Sequence, residues 1–356
     1  MSVASPLATL DGQVQAALNA FVAVQRARLA ELGPALDPLM SAAEQSVADG
    51  KRLRAGYCYW GWRAAGGDPD DARIVWAAAA LEWLQSSALV HDDIMDASDI
   101  RRGRPAMHRA FAQQHRDAAW CGDADRYGVG AAILLGDLLL SWSEDMFRTS
   151  RLPPESLARA APYLDACKTE VVAGQFLDLA SSAAGESSVE VAMTVVRYKA
   201  AKYTVERPLH LGAALAGADD ALLGMLSAYG LPVGEAFQLR DDVLGVFGDT
   251  AVTGKPAGDD LREGKRTVLL ARAFENADDE QRAIIDNSVG NGALSTQAVA
   301  QLRDVIVATG ALACVEQQIE QLHQAALEAL ETADISDTGA KAALRALAEL
   351  SVQRQR

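Results

Sequence analysis

An all-α fold follows from three features of the sequence. Ala and Leu are abundant, apolar residues recur at spacings of three and four through nearly every segment, and strict apolar–polar alternation is rare. Hydrophobic residues make up 50% of the 356 positions and charged residues 23%, with few aromatics, which suits a large core in a globular protein. No composition break, solenoid repeat or low-complexity tract divides the chain, so residues 1–356 are expected to form a single large domain.

Taken in order, residues 7–33 read as an amphipathic helix stopped by Gly33-Pro34, and Asp37–Ala48 as a second, ended by Asp49-Gly50. Lys51-Arg52-Leu53-Arg54 leads into a helix that closes at Gly66-Gly67-Asp68-Pro69. Asp71 to Ile100 reads as one long helix, almost wholly apolar from Ile74 to Leu84 and therefore buried. Residues 117–128 are polar and Gly-containing, hence a loop, and 129–149 form another buried helix with Asp137 in its middle. Pro153-Pro154 opens the helix carrying Gln175 and Asp178, and 181–188 form a loop. Ser187 and Glu190 fit a capping box for a helix that reaches Leu215 and carries Lys199 and Lys202. Ala221–Val246 is a further apolar helix, Gly248–Gly264 a polar Gly/Asp/Lys-rich loop, and 268–350 more helix before the basic tip Arg354-Gln355-Arg356.

The formal charge of −15 excludes a general nucleic-acid binder, which needs a basic surface to displace counterions. Cys58, Cys121, Cys167 and Cys314 form no C-x-x-C pair, so they read as small buried hydrophobes and not as a zinc or thioredoxin-type site. Met1–Leu10 has no basic region and no long apolar core, so no signal peptide is expected. No stretch reaches the roughly 18 uninterrupted apolar residues of a membrane span. A reducing cytoplasm is the expected compartment.

The long apolar helix ends in His91-Asp92-Asp93-Ile94-Met95-Asp96, with Arg101-Arg102-Gly103-Arg104 just beyond. On a helix Asp92 and Asp96 stand one turn apart on one face, with Asp93 beside them. Like charges so close repel unless a cation holds them, which points to a divalent metal receiving a phosphate-rich substrate. Phe237-Gln238-Leu239-Arg240-Asp241-Asp242-Val243-Leu244-Gly245 echoes the pattern, with Gly245 where a third aspartate would complete it. Two such pairs on buried helices, able to face each other across a bundle, suit Mg²⁺, a hard cation that prefers a few carboxylates plus substrate phosphate. Lys51, Arg54, Arg101, Arg102, Lys199, Lys255 and Lys265 lie at helix ends or in Gly-rich loops and look like clamps for two diphosphates.

This ordered set resembles the trans-isoprenyl diphosphate synthases of the polyprenyl synthetase family. The likeness runs through Gly50-Lys51-Arg52-Leu53-Arg54, the first aspartate-rich run with Arg101-Arg102-Gly103, and Gly174-Gln175 with Asp178. It continues through Tyr198-Lys199, Phe237-Gln238 with Asp241-Asp242, and Gly254-Lys255 to Lys265. The resemblance implies a helical bundle of the isoprenoid synthase type with a central cavity. It implies that Asp92 and Asp96 hold two Mg²⁺ ions on the allylic diphosphate, with Asp93 a catalytic residue of the same run, and that Asp241, supported by Asp242, holds a third. Arg101, Lys199, Gln238, Lys255 and Lys265 would contact the allylic substrate, and Lys51, Arg54, Gln85 and Arg102 would grip isopentenyl diphosphate. The implied reaction is head-to-tail condensation with dimethylallyl, geranyl or farnesyl diphosphate, the released diphosphate serving as base. A homodimer is implied too, with the apolar helix near 130–147 as its interface.

Three positions depart from the family pattern: Gly245, Gln85 where many bacterial members carry histidine, and Ala200 where a hydroxyl residue is common. Gln85 still offers diphosphate a donor. Product length depends on how deep the apolar slot runs below the first motif. Ser87 and Ala88 are small, Leu84 and Leu81 lie deeper, and Trp83, Trp142 and Met146 could supply a floor but read first as ordinary core. The first motif has no two-residue insertion, as in archaeal-like and actinobacterial geranylgeranyl enzymes, so a C20 product is expected ahead of C15 or longer chains. A non-catalytic partner subunit predicts lost aspartates in the first run, and all three are present. A terpene cyclase would lack the Lys51/Arg54 site.

Overall fold

The computed structural model describes residues 8–185, 188–248 and 258–352. Its elements are α1 (Ala8–Ala30), a 3₁₀ turn (Pro34–Leu36), α2 (Asp37–Ser46), α3 (Leu53–Ala64) and α4 (Ala72–Met95). A small hairpin, β1 (Ile100–Arg101) and β2 (Arg104–Pro105), precedes α5 (Met107–Asp117), α6 (Ala124–Arg148) and α7 (Pro154–Ala184). Then come α8 (Val189–Val195), a π-helical segment (Val196–Glu206), α9 (Arg207–Ala216) and α10 (Asp220–Phe247). The chain closes with α11 (Asp259–Glu263), α12 (Val268–Asn276), α13 (Asp279–Ser288), α14 (Thr296–Ala308), α15 (Ala311–Thr332) and α16 (Thr338–Val352).

The all-α expectation holds. Among the described residues the hairpin is the sole strand pairing, two residues on each side. α4 starts where Asp71 accepts a hydrogen bond from the Arg73 amide, and its Ala-rich middle, Ala77 to Ala80, is fully buried between α1, α3 and α6. It ends at Met95, short of the expected Ile100, because Asp96 caps it and the chain turns away through left-handed Ala97. Arg102 and Gly103 both take positive φ, the signature of a type I′ turn, and this folds the hairpin back toward α4.

The capping serine of α8 is Ser188, whose side chain accepts from the Val191 amide; Ser187 lies outside the described residues. Where the sequence reads as one helix to Leu215, eleven residues wind as π-helix, a form that clusters at functional sites. Two glycines let neighbours close on this segment. A Cβ on Gly174 of α7 would lie 2.4 Å from the Lys199 amide nitrogen, and one on Gly234 of α10 would lie 2.6 Å from the Ala201 Cα. The 248–264 stretch is not wholly loop, since α11 forms a single turn at Asp259–Glu263. Among the described residues no single helix is long and apolar enough to cross a membrane.

Candidate active site

A cavity of about 1030 Å³ opens between α3, α4, α7, the π-helical segment, α10 and α11. It gathers residues spread from Gly50 to Thr267. Lys51, Arg54, Gln85, Asp92, Arg101, Arg102, Lys199, Gln238, Asp241, Asp242 and Lys265 all line it. Asp96 reaches the cavity through Lys265, whose Nζ lies 3.0 Å from Asp96 Oδ2. Lys255 lies outside the described residues.

The end of α4 splits its three aspartates between two jobs. Asp93 is 3% exposed and turns inward, where Arg101 Nε donates to its Oδ1 at 2.8 Å. The same guanidinium lies 3.3 Å from Asp92 Oδ2. Asp92 faces the cavity, accepting from Gln175 Nε2 at 3.1 Å and facing Lys199 Nζ at 3.4 Å. Lys199 is itself held by Asp178 Oδ2 at 2.6 Å. Burial would raise the Asp92 carboxyl, but Lys199, Lys265 and Arg101 outweigh it and hold it below the ordinary carboxylate range. Burial raises Asp96 instead, with the charge of Asp92 adding to it. Burial disfavours charge on Lys265, yet Asp260, Asp96 and Glu263 keep it firmly protonated.

The second acidic run sits on α10. Asp242 is 7% exposed and accepts from Gln238 Nε2 at 2.8 Å. Burial pushes its carboxyl up to about 8, against that hydrogen bond and with the charges of Asp260 and Asp241 adding to the rise. Such crowding of negative charge is what a bound cation relieves. Among the described residues no three His, Cys, Asp or Glu side chains converge tightly enough to cage a metal alone. An oxygen-only donor set spread over two helices fits Mg²⁺, which keeps waters and takes substrate phosphate oxygens.

On the opposite wall Arg52 adopts left-handed φ and buries its guanidinium against Glu82, 3.3 Å away, with Gln15 and the Val47 carbonyl also accepting. This pins the segment that presents Lys51 and Arg54. Arg54 stacks on the Tyr203 ring at 4.2 Å and donates to Thr204 Oγ1 at 2.7 Å. Tyr203 Oη donates to Gln85 Oε1 at 2.8 Å, which leaves the Gln85 amide N–H groups to serve as donors. Arg102 reaches across from the hairpin and donates to the Asp49 carbonyl at 2.6 Å.

The apolar side of the cavity is formed by Ala88, Leu89, Val171, Ala192, Val195 and Val196. Leu81, Leu84 and Ser87 are buried and lie outside that lining. Of the two readings of Trp83, Trp142 and Met146, floor or ordinary core, the packing supports core. Trp83 Nε1 meets Met146 Sδ at 3.2 Å and its ring packs edge-on to Trp142, with Phe21 closing an aromatic core away from the cavity. Sequence reasoning also missed Asp260, Arg266, Tyr203 and the Arg52–Glu82 pair, each of which lines the cavity. The spacing of Arg52 within Lys51–Arg54 was the available signal for the last.

A family model described as polyprenyl synthetase matches residues 37–306. The chain is 33% identical over 310 residues to the geranylfarnesyl diphosphate synthase of Aeropyrum pernix, spanning 86% of this chain and 91% of that protein. It is 32% identical over 295 residues to the geranylgeranyl diphosphate synthase of Mycobacterium tuberculosis, spanning 82% of this chain and 78% of that one. Among solved structures, geranylgeranyl pyrophosphate synthase from Corynebacterium glutamicum, complexed with isoprenyl diphosphate and magnesium, superposes with a TM-score of 0.95. The identity is 43%, over 98% of this chain and 99% of that chain.

Proposed function

The chain belongs to the polyprenyl synthetase family, and from that membership we propose a Mg²⁺-dependent geranylgeranyl (C20) diphosphate synthase working at this cavity. It is a prenyltransferase that condenses isopentenyl diphosphate with an allylic diphosphate. One observation carries the site assignment. Asp92 of one acidic run, Asp241 and Asp242 of the other, two groups of cations and an apolar wall line one cavity.

In this reading Asp92, Asp96 and Asp241 hold three Mg²⁺ ions on the allylic diphosphate, with Asp242 behind Asp241. The ions would neutralise charge building on the departing diphosphate. Lys199, Lys265 and Gln238 reach the same group, and the family resemblance assigns Lys255 to it. Arg101 orients Asp92 and Asp93 through its two contacts. Lys51, Arg54, Gln85 and Arg102 grip isopentenyl diphosphate. Ala88, Leu89 and Val171 keep water from the allylic cation, and the departing diphosphate takes the proton lost after the new bond forms.

Residues 1–356 form one catalytic domain in this proposal, supported by a cavity that draws its lining from α3 through to Thr267. A homodimer is part of it. Leu134 on α6 is 65% exposed, and Val172 and Phe176 on α7 are 66% and 68% exposed, which a second copy would cover. The Aeropyrum likeness favours C25 as the second reading of product length. Purified protein incubated with isopentenyl diphosphate, each allylic primer and Mg²⁺ should yield a C20 product. A dominant C15 or C25 product would overturn the chain length, and no product with any primer would overturn the function.

A further inference from the structure

The π-helical segment serves both halves of the cavity at once. Lys199 and Thr204 are five residues apart, and on an α-helix, at about 100° per residue, they would point about 140° away from each other. Hydrogen bonds from i to i+5 stack residues at that spacing instead. One stretch of π-helix therefore sends Lys199 to Asp92 and Asp178, and sends Thr204, with Tyr203 beside it, to Arg54.

The second half converges on Tyr203, which is 3% exposed. Its ring carries the Arg54 guanidinium, and its hydroxyl donates to Gln85 Oε1. Burial pushes that hydroxyl above the ordinary tyrosine range, against the charge and hydrogen bond of Arg54, so it keeps its proton and stays a donor. The carboxamide of Gln85 has two senses. Turned one way it shows the cavity an oxygen, and turned the other it shows two N–H donors. A diphosphate is met only by the second. The Gln85 Nε2 group has no acceptor among the described residues, and Arg54 Nε is buried without one. Both residues line the cavity, and donors left open beside it are what a bound anion takes up.

We propose that Tyr203 is a positioning residue for isopentenyl diphosphate: its hydroxyl captures the Gln85 oxygen and so turns the N–H groups toward the diphosphate, while its ring holds Arg54 alongside. The inference rests on the reading of Gln85 and Arg54 given above. It assigns a role to a residue outside every charged motif, and it accounts for how this chain uses Gln85. A histidine at 85 would make no such demand, because its proton can sit on either ring nitrogen.

The test uses the full-length enzyme, with initial rates measured as each substrate is varied in turn. Tyr203→Phe keeps the ring under Arg54 and removes only the hydroxyl. It should raise KM for isopentenyl diphosphate about tenfold, the scale of one hydrogen bond to a charged group, and leave KM for the allylic primer within about twofold. A merely structural role would move both constants. In a Gln85→His background the same substitution should change KM for isopentenyl diphosphate by less than about twofold. An unchanged KM for isopentenyl diphosphate in Tyr203→Phe, or an equal rise in both constants, would overturn the proposal. So would a tenfold rise that persists over Gln85→His, a comparison that stands even if Tyr203→Phe alone folds poorly, since histidine leaves no amide oxygen uncapped. Lys51→Met separates the two levels. If it raises KM for isopentenyl diphosphate while Tyr203→Phe does not, only this inference fails; if neither does, the reading of this half of the cavity fails with it.

Discussion

Replacing Ala88 by phenylalanine should shorten the product. Ala88 is partly buried, lies one helical turn before Asp92 and lines the cavity next to Leu89. A prenyl chain extending from a diphosphate held at Asp92 and Asp96 meets this methyl group early, since Leu84 and Leu81 deeper on α4 are already in the packed core. A phenyl ring there takes up the room of about one isoprene unit. Each such unit buries five carbons, about 4 kcal/mol at about 0.8 kcal/mol per carbon group. Lost burial of that size lowers kcat/KM for the primer that needs the space by about 10³-fold. Initial rates with dimethylallyl, geranyl and farnesyl primers, with products separated by mass, measure it. The dimethylallyl primer should still be extended, the farnesyl primer should fail, and the main product should shift from C20 to C15 or shorter. Unchanged farnesyl extension with C20 retained would refute the placement of the slot.

Two further perturbations read the scaffold around the site. Glu82→Gln leaves the Arg52 guanidinium, 5% exposed, without its counter-charge and should cost about 3–5 kcal/mol of stability in denaturant unfolding. It should also raise KM for isopentenyl diphosphate by loosening Lys51–Arg54, whereas Arg52→Met/Glu82→Met should fall within about 1 kcal/mol of the parent; a loss below that for Glu82→Gln alone would contradict the assignment. Glu170 accepts from Arg207 Nε at 2.7 Å and Lys202 Nζ at 3.0 Å. Burial raises its carboxyl, but these two partners more than offset that and hold it below the usual glutamate range. A carboxylate with a depressed folded-state pKa stabilises above its unfolded value, and that contribution fades as pH falls through the folded one. Glu170→Gln should therefore cost about 1–3 kcal/mol at pH 7 and progressively less below about pH 4. A deficit that stays constant down to pH 3 would show that the pair contributes nothing through charge.

The helices were legible because their signal is local. Ala-rich apolar runs, Gly-Pro stops and the Asp-rich end of α4 are all visible within a few residues of one another. The ordered charges likewise led to most of the charged residues that line the cavity. What stayed hidden depends on contacts between distant segments. The hairpin at Arg102-Gly103 needs only two residues per strand, too few for alternation to appear. The π-helical segment lies where Gly174 and Gly234 admit close neighbours, which no periodicity within Val196–Glu206 reveals. The pairing of Arg101 with Asp93 was not legible either, because the two residues meet only once the hairpin folds back on α4. Trp83 and Met146 are suitably bulky for a floor, but the direction in which they leave α4 and α6 sends them into the core. Asp260 was hidden because it reaches the cavity from the single turn of α11, inside a stretch that reads as loop.

The most direct test of the two-cluster site is isopentenyl incorporation by Asp92→Asn and Asp241→Asn, titrated with Mg²⁺ and checked for unchanged helicity and melting temperature. The two clusters sit on different helices, α4 and α10, and line one cavity, so each substitution should lower turnover by at least about 10²-fold while the protein stays folded. Near-normal turnover and Mg²⁺ dependence in either variant would mean that its cluster takes no part in handling the diphosphate.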